Sequence, residues 1–156
     1  GLTLGGNSTW IDATVRRPQQ ELDLLEQFQG VRPSATRDMT DAPDYLWNLF
    51  ATYELESTGT RFGLFYTTTG DRLIQGPGPS NNNFIPATYD RSYDNLTATF
   101  AQQLGRGVQL SFTARNLTDA LRQQVYRTEY LDEDVVRRDF TTGVTYSLSI
   151  GGVIKF

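Results

Sequence analysis

Apolar and polar residues alternate one by one in six stretches of this chain, and each predicts a β-strand. The cleanest is the last, Gly143 to Phe156. Val144, Tyr146, Leu148, Ile150, Ile154 and Phe156 share the even positions with Gly152, while Thr145, Ser147, Ser149, Gly151, Val153 and Lys155 take the odd ones. Successive side chains of a strand point to opposite faces, so this stretch has one apolar and one mostly polar face. Val108 to Asn116 repeats the pattern, with Val108, Leu110, Phe112 and Ala114 against Gln109, Ser111, Thr113 and Arg115. Tyr45 to Leu55 places Trp47, Leu49, Ala51, Tyr53 and Leu55 on one side, and Asn48, Phe50, Thr52 and Glu54 on the other. Thr60 to Asp71 sets Phe62, Leu64 and Tyr66 against Arg61, Gly63, Phe65 and Thr67. Tyr93 to Leu104 sets Leu96, Ala98 and Phe100 against Thr97, Thr99 and Ala101. Leu2 to Thr14 is the weakest, because Gly5-Gly6 interrupts it.

The segments between them sort by length. Glu56-Ser57-Thr58-Gly59 and Gly105-Arg106-Gly107 read as tight turns. Arg16 to Pro43, Arg72 to Ser92 and Leu117 to Thr142 are long polar excursions. The first predicts a short helix over Pro18 to Gly30: proline is tolerated at a helix start, Leu22, Leu25 and Phe28 share a face, and Gly30 suits the end. Gly76-Pro77-Gly78-Pro79 and Ser80-Asn81-Asn82-Asn83 make the second a loop. In the third, Gln123 to Tyr130 reads as a prolongation of the fifth strand, and Asp132-Glu133-Asp134 as a solvated tip.

Alternation alone serves a half-buried strand of a soluble sandwich and a tilted membrane strand of about 9–11 residues equally well. The order long, short, long, short, long favours the membrane. Outer-membrane barrels have short periplasmic turns and long extracellular loops, whereas a Greek-key sandwich has no reason to sort its loops. The two tight turns and Phe156 are then periplasmic, and the three excursions extracellular. Tyr45, Trp47 and Tyr93 near the outer rim, and Phe156 at the inner one, suit aromatic girdles.

Composition removes other classes. The mean hydropathy of −0.44 leaves no apolar run of membrane-helix length, and does not exclude a barrel, whose apolar residues are diluted by alternation. A net charge of −4 gives no reason to expect nucleic acid. With no histidine and no cysteine, Ser-His-Asp catalysis, His-ligated zinc, thiolate metal sites and disulfides are impossible. No carboxylate pair stands out by its spacing, so the chain is read as non-enzymatic and without a cofactor or metal. Asp132-Glu133-Asp134 lacks the calcium-loop glycine. No signal peptide opens the sequence, so an exported protein would be represented here by a processed chain, an engineered piece or a fragment.

The end of the chain resembles the assembly signal of bacterial outer-membrane barrels: a polar residue, glycine two on, then two hydrophobic or aromatic residues, the second terminal. Ser149, Gly151, Ile154 and Phe156 fit at every position. Further phrases resemble late strands of TonB-dependent receptors. These are Arg37-Asp38-Met39 with Ala42 to Leu49, the Gly-Asp-Arg of 70–72, Tyr93-Asp94-Asn95-Leu96, and above all Asn116-Leu117-Thr118-Asp119 closing the penultimate strand. They follow the order and spacing of that family over residues 37–156. Asn7-Ser8-Thr9, Asn95-Leu96-Thr97 and Asn116-Leu117-Thr118 also match the glycosylation pattern, by accident in such a protein.

The resemblance implies an all-β, antiparallel transmembrane β-barrel of Gram-negative outer membranes, 22-stranded and filled by a plug domain. It captures a scarce nutrient (siderophore-bound iron, cobalamin or a glycan) and imports it with energy from the TonB system. Residues 1–156 then supply about six strands of wall as its C-terminal segment, with the plug absent. The implied partners are the rest of the barrel and the plug, the barrel-assembly machinery and outer-membrane lipid. Arg61 and Arg115 would face the lumen, as anion attractors or as part of a solvated polar lining. Two other readings stay open: a small self-contained eight-stranded barrel with a structural or adhesive role, and a soluble β-sandwich binding module.

Overall fold

A computed structural model describes residues 1–81, 83–105 and 107–152. Strand β1 (Leu2–Trp10) leads into a first long connection holding β2 (Thr14–Arg16), helix α1 (Gln19–Gln29) and β3 (Thr36–Asp38). Strands β4 (Tyr45–Leu55) and β5 (Thr60–Thr69) form a hairpin. The second long connection holds β6 (Arg72–Gln75), β7 (Gly78–Ser80), β8 (Asn83–Ile85) and β9 (Ala87–Asp90). A second hairpin, β10 (Tyr93–Gly105) and β11 (Val108–Arg115), follows. The third connection holds β12 (Arg122–Arg127) and β13 (Val135–Phe140), and β14 (Thr145–Gly152) ends the described chain.

The six alternating stretches become one antiparallel sheet in the order β1-β4-β5-β10-β11-β14. The fold is all-β and antiparallel, and the sheet is open, with β1 and β14 at its edges. Register carries the alternation across every strand. Leu4, Ala51, Leu64, Ala98, Ala114 and Tyr146 stand in one row, and Leu2, Tyr53, Phe62, Phe100, Phe112 and Leu148 in the next. A slip of one residue at any ladder would put that strand's apolar set on the other face. The glycines that weaken β1 as a pattern have a packing reason. The ring of Phe50 from β4 occupies the space that a Cβ on Gly5 would need.

The long connections build a second, four-stranded sheet, β13-β12-β9-β6. Its order parallels β14-β11-β10-β5, because each of its strands lies next in the chain to a strand of the large sheet, after a break. The sequence missed it: 72–92 reads as loop, since these strands are short, flanked by Pro77, Pro79 and Pro86, and paired with residues far along the chain. Segment 123–130 does lie in series with the fifth strand. It is nonetheless a separate element, cut off by the left-handed residues Asn116 and Asp119, with φ of 57° and 43°.

Helix α1 forms where expected. Pro18 precedes its first turn in an extended conformation, and Gly30, at φ 72°, closes it by donating to Glu26 O at 2.8 Å. Leu22 and Leu25 are buried beneath it, while Phe28 stays largely exposed. The buried apolar residues among those described are Leu22, Leu25, Leu73, Ala114 and Val125, and only Ala114 belongs to the large sheet. The hydrophobic core therefore sits in the cap made by the connections. The apolar face of the sheet lies open.

Candidate functional site

That open face is continuous and large. Leu2, Leu4, Leu148 and Ile150 are 65–72% exposed, and Leu49, Phe62 and Leu64 are about half exposed. Natural monomers seldom leave apolar patches of this extent facing water. At its loop end Trp10, Tyr45 and Trp47 cluster, with ring centroids 5.6–5.8 Å apart. Tyr93, expected to join such a girdle, stands on the opposite face opposite Thr69, where the Arg122 guanidinium lies 4.0 Å from its ring centre. The sequence misled here because the first residue of a strand sits at the rim on either face. Only its parity separates the two.

The other face is mostly polar, and Phe50 and Phe65 are paired in register on it. Arg61 and Arg115 both belong to it but are not brought together. Arg61 lies by the tight turn between β4 and β5, bonded to Glu54 Oε1 at 2.7 Å. Arg115 lies at the loop end of β11, opposite Thr145. Ser149 and Gly151 lie on the polar side of β14, opposite Ser111 and Gln109. Ile154 and Phe156, the rest of the assembly signal, fall outside the described residues.

The cap is held by a charged network that joins all three connections. Arg127 Nη2 donates to Asp71 Oδ2 and Asp134 Oδ2, each at 2.8 Å, and its Nε donates to Asp134 Oδ1 at 2.9 Å. Arg91 adds a bond to Asp134 Oδ2 at 3.0 Å. Asp134 is thus no solvated tip; its carboxylate is engaged by two arginines. The guanidinium of Arg127 also lies 4.4 Å from the ring centre of Tyr89, whose hydroxyl donates to Asp38 Oδ2 at 2.8 Å. Burial foremost, with that bond, raises the Tyr89 pKa well above its ordinary value, so the phenol stays a neutral donor. Hydrogen bonds from Arg127 hold Asp134 below the usual carboxylate range.

Comparison with known proteins gives no matching family model, no matching curated protein and no matching solved structure.

Beside the network a cleft of about 180 Å³ opens where the three connections meet. Arg17 and Gln29 line it from the first, Phe84 and Pro86 from the second, Glu129 and Tyr130 from the third. Arg17 is buried, and its Nη1 donates to Ser34 O and Glu129 Oε1, both at 2.7 Å. Ser34 N donates to Glu129 Oε2 at 2.8 Å. Burial would raise the Glu129 pKa, but these bonds from Ser34 and Arg17 outweigh it and bring the value below ordinary. No pattern in the sequence marks this cleft, because its walls come from three separate loops.

Proposed function

We propose that this chain is a piece of the wall of an outer-membrane β-barrel, from the C-terminal part of a TonB-dependent receptor that captures a scarce nutrient and imports it. The observation that carries the reading is the inversion of polarity. The sheet exposes its apolar face while the connections bury the core. In a soluble sandwich those side chains would pack against a second sheet; in a barrel wall they meet lipid. Three features agree with this. The aromatic cluster of Trp10, Tyr45 and Trp47 sits at one end of the apolar band. All long connections gather at that end, and the tight turns lie at the other. Both β1 and β14 carry an unpaired edge among the described residues, which a membrane does not tolerate unless further strands continue the wall. The polar face, with Arg61 and Arg115, then lines the lumen. The receptor assignment itself rests on the sequence phrases around residues 37–49, 70–72, 93–96 and 116–119.

The test is the intact mass of the native protein and the fraction in which it is found. The expected result is an outer-membrane protein several times heavier than the 17.6 kDa of this chain. A membrane protein near that mass favours the small self-contained barrel, and recovery from the soluble fraction alone overturns both.

A further inference from the structure

Of the described arginines, Arg16, Arg115, Arg122, Arg137 and Arg138 make no ion pair with a described residue. The last three share the β12–β13 ladder. The chain has 18 acidic residues against 14 basic ones, so carboxylates are not scarce. Each of the three guanidiniums instead lies over an aromatic ring. Arg122 is 4.0 Å from the ring centre of Tyr93, Arg138 5.2 Å from that of Phe140, and Arg137 5.7 Å from that of Tyr126. Stacking on a ring face steadies a guanidinium and leaves its in-plane N–H edge free. Register brings the three together. Arg122 pairs with Phe140 and Gln124 with Arg138; Val125 then pairs with Val136, which leaves Arg137 as the extra residue of a bulge. A bulge re-aims a side chain, and here Arg137 lines one hollow with its neighbour Arg138 and with Gln124. Arg138 and Gln124 also line a second hollow, of about 160 Å³, with Arg122, Tyr93 and Phe140. Asp90 and Arg91 reach its wall too, but each is already engaged, by Arg72 and by Asp134. Asp139, between Arg138 and Phe140, alternates to the other face of β13.

We infer that this ladder binds a small anion carrying two or more carboxylate or phosphate groups, which take the free edges of Arg122, Arg137 and Arg138. Arg137 and Arg138 are exposed and Arg122 is half-buried, so a solute reaches them. The fork of a guanidinium matches the oxygens of a carboxylate or phosphate two at a time. Neighbouring cations that no acid neutralises repel one another, and an anion of several charges relieves this better than an anion of one. The net charge of −4 sets a nucleic acid aside. Tyr93 stands on the polar face of the large sheet, so the hollow borders that face and not the apolar band, which sets lipid headgroups aside. The inference does not rest on the barrel reading. A soluble module with this ladder would bind the same anion.

The probes are citrate, pyrophosphate and acetate, titrated by calorimetry into the intact protein at fixed ionic strength. Citrate or pyrophosphate is expected to bind at least about tenfold tighter than acetate, and the tighter of the two tells carboxylate from phosphate chemistry. Arg138→Gln removes the cation common to both hollows and should weaken the tighter probe about tenfold. Arg16→Gln makes the same change of net charge at an exposed, unpaired arginine on β2, and should leave the affinity within about twofold. If neither polyanion binds more tightly than acetate, the inference is overturned, and that comparison requires no variant. An equal loss in Arg16→Gln also overturns it, since the attraction then belongs to the charge of the whole protein. So does full affinity in folded Arg138→Gln.

Discussion

Phe62 and Phe100 stand directly opposite one another on adjacent strands, their ring centroids 5.0 Å apart and tilted by 46°. Such a pair normally lies in a core, yet Phe62 is 51% exposed. Leu64, two residues on, shares the face and occupies the centre of its row between Ala51 and Ala98. If hydrocarbon covers this face, Leu64→Arg places a charge near the middle of a membrane, at a cost of about 2–4 kcal/mol. On a water-facing surface the same change stays within about 0.5 kcal/mol. Thr113→Arg, on the polar face, is the control and should be close to neutral. Equilibrium unfolding of the intact protein in lipid vesicles measures both. A neutral Leu64→Arg would sink the lipid-facing reading.

Trp10 reports the depth of the band. It is 70% exposed and packs edge-on to Trp47 at 5.6 Å. Tryptophan favours the headgroup level, where an amphipathic ring meets both phases. Brominated lipids should therefore quench Trp10 fluorescence most when the bromines lie high on the acyl chain, and least when they lie near the bilayer centre. Trp47→Phe isolates the Trp10 signal. Quenching that is absent, or strongest from the centre, contradicts an interfacial girdle at this end.

The wall was legible and the cap was not, for one physical reason. A strand of the large sheet runs for at least eight residues with apolar side chains on one face and mostly polar ones on the other, so its period of two survives in the sequence. The six stretches around Leu4, Leu49, Leu64, Ala98, Phe112 and Leu148 were readable for this reason, as was α1, bracketed by Pro18 and Gly30. Strands β6, β9, β12 and β13 are four to six residues long, and the ladder that joins them into one sheet, β9 with β12, runs between two separate connections. Their fold is specified by Leu73 and Val125 in the cap core and by the Arg127 network, which are contacts without a local signature. The cleft lined by Arg17 and Gln29 was illegible on the same ground.

Asn116 explains one phrase that the sequence could only flag. It adopts φ 57°, which ends the ladder of β11, and its Nδ2 donates across the loop base to Thr142 Oγ1 at 3.0 Å and Gly143 O at 2.9 Å. Asp119 N returns a bond to Asn116 O at 2.9 Å. Asn116→Ala loses both side-chain bonds and strains the left-handed backbone, for a cost of about 1–3 kcal/mol. Asn116→Gly relieves the backbone but not the bonds and should fall between. Asn116→Asp should be at least as damaging as alanine at neutral pH, because a carboxylate has no proton to give to Gly143 O. Thermal unfolding of the three variants checks the order. A harmless alanine would show that the phrase does not anchor the third connection.

Acid should open the cap before the wall. Asp134 is held below its ordinary value of 3.8, chiefly by its bonds from Arg127. Glu129 is held below 4.5, because bonds from Ser34 and Arg17 outweigh its burial. A carboxylate whose pKa is depressed in the fold adds stability above its unfolded value, and that stability is lost as pH falls through the folded value. Asp44 runs the other way: burial first, then Asp71 and Asp38, raise its pKa, so protonating it favours the fold and partly offsets the loss. The net effect, two depressed acids against one raised, is a cap that loosens as pH drops from 4.5 into the range where Glu129 and Asp134 take up protons. The strands of the wall depend on backbone ladders and apolar contact, and should not respond. Amide exchange separates the two: β12 and β13 amides should lose protection over that interval while those of β5 and β10 keep theirs. Protection of β12 that persists after Asp134 and Glu129 have both taken up protons, as their carboxyl carbon shifts report, would mean that the Arg127 network does not hold the cap together.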